Sequence, residues 1–180
     1  MVTITSAAPI DGPAILPNAL IDQHIKPGDD QAALMDAFRL TALGWVERHT
    51  SHSLKRRRWV AVYNGFDNMP RLPREPVRNV VSVSYVDRNG IMVDGDGLWR
   101  LSGAQIVPAS TARWPETADC SDAVTVTFEA GYDDVASEAP ALQIAALLMM
   151  LHLYVGGSLK DVPDTVTLLL DTPYRTPVIG

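Results

Sequence analysis

Residues 72–90 commit the middle of this chain to an antiparallel hairpin. Val77, Val81, Val83 and Tyr85 recur at period two, Ser82 and Ser84 alternate against them, and Asn89-Gly90 supplies a turn that tolerates positive φ. The pattern predicts a strand over 77–86 with one solvated face. Pro73 and Pro76 stand just ahead of it, where a missing backbone donor is tolerated and the chain is pushed toward extended geometry.

The same period governs a longer stretch. Further strands are predicted over 58–63, 91–94, 98–101, 105–107 and 123–129, separated by Gly, Pro and Asn. Val124, Val126 and Phe128 face one way and Thr125, Thr127 and Glu129 the other. On either side the spacing is helical. Gly28-Asp29-Asp30 reads as a helix start, and Leu34, Phe38, Ala42, Trp45 and His49 form a stripe through a helix of about 30–50. Asp36, Arg39, Glu47 and Arg48 fall mainly off that stripe, so the helix is expected to be amphipathic.

A short helix is expected after Pro17, and an almost wholly apolar one over 139–155, opened by Pro140 and stopped by Gly156-Gly157. Asp161-Val162-Pro163-Asp164 starts a last helix ending near Leu170, after which Pro173 and Pro177 force an extended tail, Tyr174 to Gly180. Residues 1–15, punctuated by Pro9, Gly12 and Pro13, read as a loosely held arm.

Composition narrows the classes. A chain of 180 residues fits one domain, typically burying about 70% of its unfolded surface, and needs no disulfide or metal staple. The single Cys120 cannot form an intrachain bridge, and an intracellular setting is the simplest reading. A net charge of −6 argues against bulk nonspecific nucleic-acid binding. The N-terminal residues lack a basic region followed by a long apolar core, so secretion is not predicted. The apolar run Ala139–Val155 is shorter than the roughly 20 residues that cross a bilayer and contains Gln143 and His152, so no membrane partner is expected.

Chemistry-bearing residues do not assemble into a reactive motif. His49 and His52 flank Thr50-Ser51 without a third ligand and read as partners of a helix C-terminus, while His152 reads as a satisfied core histidine. Asp133, Asp134 and Glu138 lack calcium-loop spacing and suit a solvated helix start. There is no Walker A motif, dinucleotide glycine motif or Gly-x-Ser-x-Gly elbow, which disfavours an enzyme and leaves catalytic, cofactor and metal residues at none. Lys55-Arg56-Arg57-Arg58 is the strongest charge run. It reads as a solvated strand entry or, less simply, as a phosphate- or acid-binding patch.

The order of these pieces resembles the head-tail connector, or adaptor, family of long-tailed phages and related gene-transfer particles, over about residues 16–176. The landmarks are Asp29-Asp30 leading to Trp45-Val46-Glu47-Arg48-His49-Thr50; Trp59; Leu72-Pro73-Arg74 with Pro76-Val77; and Val81-Ser82-Val83-Ser84-Tyr85-Val86-Asp87 with Gly90. Trp114-Pro115, Val124 to Tyr132, Pro140, and Val166-x-x-Leu169-Leu170 with Tyr174-Arg175 complete the series. The chain departs from the pattern at its start, where the first helix is reduced to Leu16-Pro17-Asn18-Ala19-Leu20-Ile21 after an Ala/Pro-rich arm.

The resemblance implies an α+β fold, a small bundle of about three or four helices carrying an inserted antiparallel β subdomain. The implied organisation is an arm over 1–15, a connector domain over 16–172 and an extended tail over 173–180. Within the connector domain the helices fall at about 16–50 and 138–170, and the β insertion at about 58–130. It further implies a virion protein at the head-tail interface, made in the bacterial host cytoplasm. Its partners would be the portal protein, copies of itself in a ring of about twelve, and the next tail or head-completion protein. Packaged DNA would pass through the lumen without sequence-specific binding. The tail residues Tyr174, Arg175, Pro177, Val178 and Ile179 are then expected to dock on the portal, and Arg56, Arg57 and Arg58 to lie on an inter-subunit or partner surface. Two competing readings remain at this level: a nucleic-acid-binding module using Lys55–Arg58, and a small enzyme of unrecognised type.

Overall fold

The period-two segments become antiparallel sheet, each within a residue of its expected bounds. In the computed structural model, which describes residues 3–8, 11–25, 31–66, 69, 71–109 and 113–174, the strands are β1 (Thr3–Ser6), β2 (Arg57–Tyr63), β3 (Val77–Val86), β4 (Met92–Asp94), β5 (Trp99–Ser102), β6 (Gln105–Pro108) and β7 (Val124–Ala130). Five strands form one sheet in the order β1-β2-β7-β3-β4, and β5 pairs with β6 separately. The helices are α1 (Gly12–Ile15), α2 (Asn18–Ile21), α3 (Ala32–Thr50), α4 (Val135–Glu138), α5 (Pro140–Tyr154) and α6 (Asp164–Tyr174). The fold is therefore α+β. The chain divides into a sheet unit, Met1–Pro9 with Arg56–Gly131, and a helical unit, Ile10–Lys55 with Tyr132–Gly180.

In the sheet unit β7 is central. Val124, Val126, Phe128 and Ala130 are wholly buried, as the alternation predicts for the first three, and they meet Trp59, Ala61, Tyr63, Val80 and Val83 in one apolar cluster. The register of β3 against β7 departs from strict alternation. Val80 pairs with Phe128 and Ser82 with Thr127, so Val81 is an extra residue, and Arg78 is a second between Val77 and Asn79. Each bulge moves the following residues to the other face. Val81, expected on the apolar face, is consequently exposed, and Val80 takes its place in the core.

The first residues were expected to be irregular, yet Thr3–Ser6 pairs along β2 from Val62 to Trp59, and Gly12–Ile15 is a helical turn with Pro13 in its first positions. The edge ladder supplies backbone partners, and Ile4 packs on the sheet core, which a polar segment of this length does not advertise.

In the helical unit α3, α5 and α6 pack together around Leu43, Val46, Leu142, Met149, Met150 and Leu170. The start expected at Gly28-Asp29-Asp30 lies outside the described residues. The far end of α3 is set by Ser51 at φ 60°, with Thr50 Oγ1 donating to the Val46 carbonyl at 2.8 Å and accepting from the His52 amide at 3.2 Å. The amphipathic reading of α3 needs correction. Arg39 and Glu47, expected on the outer face, are 6% and 5% exposed, whereas Leu34, expected on the buried stripe, is 49% exposed. Local partners explain the burial. Arg39 bonds Asn18 Oδ1 and lies 3.2 Å from Asp36, and Glu47 accepts from the Leu54 amide at 2.8 Å.

Helix α5 spans 15 residues without a charge, about 22 Å at the helical rise. Among the described residues no helix is long and apolar enough to cross a membrane. It stops where Gly156 adopts φ 93° and Gly157 lies against the His152 ring, leaving no room for a Cβ. Helix α6 was expected to end near Leu170 but continues to Tyr174, which packs on the helical core. The packing of Tyr174 holds the last turn in helical form although Pro173 contributes no backbone donor to it.

Two consequences are measurable. Gly157→Ala should destabilise the helical unit by about 1–3 kcal/mol, seen as a lower denaturant midpoint; an unchanged midpoint would mean that the loop yields freely. At the β3–β4 turn, Asp87 Oδ1 accepts from the Ile91 and Asn89 amides at 2.9 and 2.8 Å, and these bonds hold its carboxyl below the usual carboxylate range. A depressed folded value means that the support is complete above the unfolded pKa of about 4 and is lost as pH falls through the folded one. Amide exchange at Asn89 and Ile91, corrected for intrinsic rates, should accelerate over that window relative to β7, and protection that stays constant would count against it.

Candidate functional site

The histidines occupy structural positions. His49 stacks on Trp45, with centroids 4.7 Å apart, and its Nε2 lies 2.8 Å from Asp171 Oδ1. His52 Nδ1 lies 2.8 Å from the Tyr132 hydroxyl, and His152 Nε2 lies 3.0 Å from the Ser158 carbonyl. Asp134 caps α4 by accepting from the Ala136 amide, and Glu138 Oε1 accepts from the amides of Asp133 and Asp134 at 2.9 and 3.0 Å. The acidic cluster is thus a helix start. Among the described residues no three His, Cys, Asp or Glu side chains form a group that could hold a metal ion.

The remaining perturbed groups have local causes. Burial pushes the Tyr63 phenol up to about 12, and desolvation with the neighbouring Asp122 raises the Cys120 thiol, the opposite of what an activated nucleophile needs.

The basic run is divided between the units. Lys55 pairs with Asp11 in the helical unit. In the sheet unit Arg56 and Arg58 share Glu129, at 2.8 and 4.0 Å. Arg57 donates to the Ala8 carbonyl at 3.3 Å and lies 4.6 Å from the centroid of the Trp59 ring, on which Arg74 also stacks at 4.9 Å. The three arginines therefore do not present one face: Arg56 and Arg58 reach Glu129, and Arg57 reaches Ala8, two residues past the end of β1.

Of the tail residues, Tyr174 is the last described position, and Arg175, Pro177, Val178 and Ile179 lie outside the described residues. Tyr174 belongs to α6 and not to an extended tail. Its ring meets His52 edge-on at 5.2 Å, His52 stacks on Tyr132 at 5.9 Å, and desolvation raises the Tyr174 phenol. With His49 on Asp171, these contacts fix the end of α6 against the end of α3. The origin of the last six residues is thereby set.

Exposed apolar side chains supply a further surface, apart from the charged and titratable groups. On α3 Leu34 and Leu40 are about half exposed. On α5 Ile144, Leu148, Leu151 and Val155 follow one another at helical spacing, Leu148 and Leu151 only partly buried and Val155 79% exposed. Met92 at the hairpin and Leu168 on α6 are likewise mostly solvated. The α5 series was available in the sequence, since four apolar residues at i, i+4, i+7 and i+11 on a helix apolar all round mark a second face to be covered.

No family model matches the sequence, and no curated protein matches it. Solved structures do share the fold. A chain in the virion of a native gene transfer agent particle is 22% identical, with a TM-score of 0.77, covering 99% of this chain and 98% of that one. Chains in the neck of an empty gene transfer agent particle computed with C6 symmetry and in the neck of a native particle computed with C12 symmetry give 23% and 22% identity at TM-scores of 0.77 and 0.75, with the same coverage. At these identities the likeness establishes the α+β fold along the whole chain.

The anchoring of α6 can be tested directly. Tyr174→Ala should lower stability by about 1–3 kcal/mol and speed amide exchange in the last turn of α6, and unaltered exchange there would remove Tyr174 as the anchor.

Proposed function

We propose that this chain is a structural neck protein of a tailed, phage-like particle: a head-tail connector that forms a ring beneath the portal, extends the DNA channel and joins the capsid to the tail. The observation that carries the reading is the full-length likeness to chains found in gene transfer agent virions and necks, with 98% of those chains also covered. The ordered series of sequence landmarks from Trp45 to Tyr174 supports the same conclusion independently of the fold. The ring has about twelve copies, matching the C12 symmetry of one such neck, and rotational closure needs two different complementary surfaces on each subunit.

In this reading the partners are the portal, neighbouring copies and the next tail component, and no chemical reaction is catalysed. The protein is located in the virion at the head-tail interface. Residues 175–180, together with Tyr174 at their root, dock on the portal. The arginines 56–58 serve contacts between protein surfaces. Nucleic-acid recognition has less to support it, because Arg56 and Arg58 are occupied by Glu129.

Electron microscopy of particles from a strain lacking the chain tests the role: filled heads without tails are expected, and normally joined particles would overturn it. Removing residues 175–180 should abolish attachment to purified portal rings while leaving the circular dichroism and unfolding midpoint unchanged. Undiminished attachment would eliminate the tail as the docking element.

A further inference from the structure

The apolar faces of the helical unit are placed to satisfy each other between copies. Helix α3 hides Arg39 and Glu47 and turns Leu34, Ala37 and Leu40 outward. The buried charges find partners within the unit, Asn18 and Asp36 for Arg39 and the Leu54 amide for Glu47, while the two leucines stay wet. Helix α5, without a charge, exposes Ile144, with half-buried Leu148 beside it, and Val155 follows exposed just past its C-terminal end. Two unlike apolar faces on one unit are what a head-to-tail contact requires; a two-fold dimer would need only one.

Charge favours one orientation. The outer side of α3 runs from exposed Asp36 to exposed Arg48 near its C-terminal end. Exposed Glu138 precedes α5, and exposed Lys160 follows it. Antiparallel apposition brings Arg48 toward the acidic start of α5, where Asp133, Asp134 and Glu138 are exposed, whereas parallel apposition sets Asp36 against those carboxylates; at the other end Lys160 is offset by Asp161 and Asp164.

We infer that the outer face of α3 in one copy packs antiparallel on the Ile144–Val155 stripe of α5 in the next copy, and that this heterologous contact is the ring-forming interface. The inference rests on the connector reading for its occupant, a second copy of this chain.

Mixing two interface variants tests it on the full-length protein. Leu40→Glu spoils one face and Ile144→Lys the other, both at exposed positions where folding is unaffected by circular dichroism. Each variant alone should lose self-association at least about tenfold by sedimentation. An equimolar mixture should form a one-to-one heterodimer and nothing larger, because one intact α3 face and one intact α5 face remain. For weak association, Leu40→Cys and Ile144→Cys chains, each also carrying Cys120→Ser, should cross-link through a bis-maleimide when mixed and not separately. Wild-type-like assembly of either charged variant, or no cross-link in the mixture at millimolar concentration, would overturn the inference. Failure of the connector reading shows elsewhere, as particles that join heads and tails without this chain.

Discussion

The pairing of β2 with β7 is the constraint on which the architecture depends. Arg57 lies opposite Ala130, so the strand that takes the chain into the sheet unit and the strand that takes it out begin and end side by side. The helical unit is built from two stretches of sequence separated by the whole β region, and a single core formed from both requires the intervening segment to return to its starting point. Sheet hydrogen bonding performs that return. It also turns about 75 residues of insertion into a closed loop whose entropic cost is met within the sheet unit's own core. The buried alternation of β7, with β2 on one side and β3 on the other, is therefore both the core of one unit and the condition for continuity of the other.

What the sequence made legible follows from where the structural determinants are local. The strands of 57–130 and helix α5 each carry their own period and their own stops, and the expected bounds lie close to those observed. Strand β1 carries neither. Thr3–Ser6 becomes a strand because β2 offers a free edge, a partner more than fifty residues away. Val81 was misassigned for a related reason, since a bulge is set by pairing with β7 and leaves no mark in the period of β3 alone. The extension of α6 to Tyr174 depends on His52 and the helical core, against the local instruction given by Pro173.

The candidate surfaces were legible to different degrees. The histidines and acids that read as structural groups have structural partners in the fold. The side of α3 that faces outward was not legible. Hydrophobic spacing assigns a helix to a core by its apolar stripe, and that rule fails when a neighbouring segment brings its own polar partners. Asn18 receives Arg39, and the Leu54 amide is received by Glu47, so two charged positions go inside and two leucines go outside.

The basic run illustrates how charge count and charge function separate. Four consecutive cations on a chain of net charge −6 suggest an electrostatic patch, yet Lys55 meets Asp11 and the arginines divide between Glu129, the Ala8 carbonyl and the Trp59 ring. Exposed pairs of this kind contribute little to stability, but they reduce the local potential that phosphates would meet. In the connector reading proposed above that reduction is useful, since every phosphate contact that is formed must also be broken for a strand to advance through the ring. A basic run partly offset by Asp11 and Glu129 therefore fits a connector better than it fits a nucleic-acid clamp, and Glu129 is brought to it by the same pairing of β2 with β7 that closes the insertion.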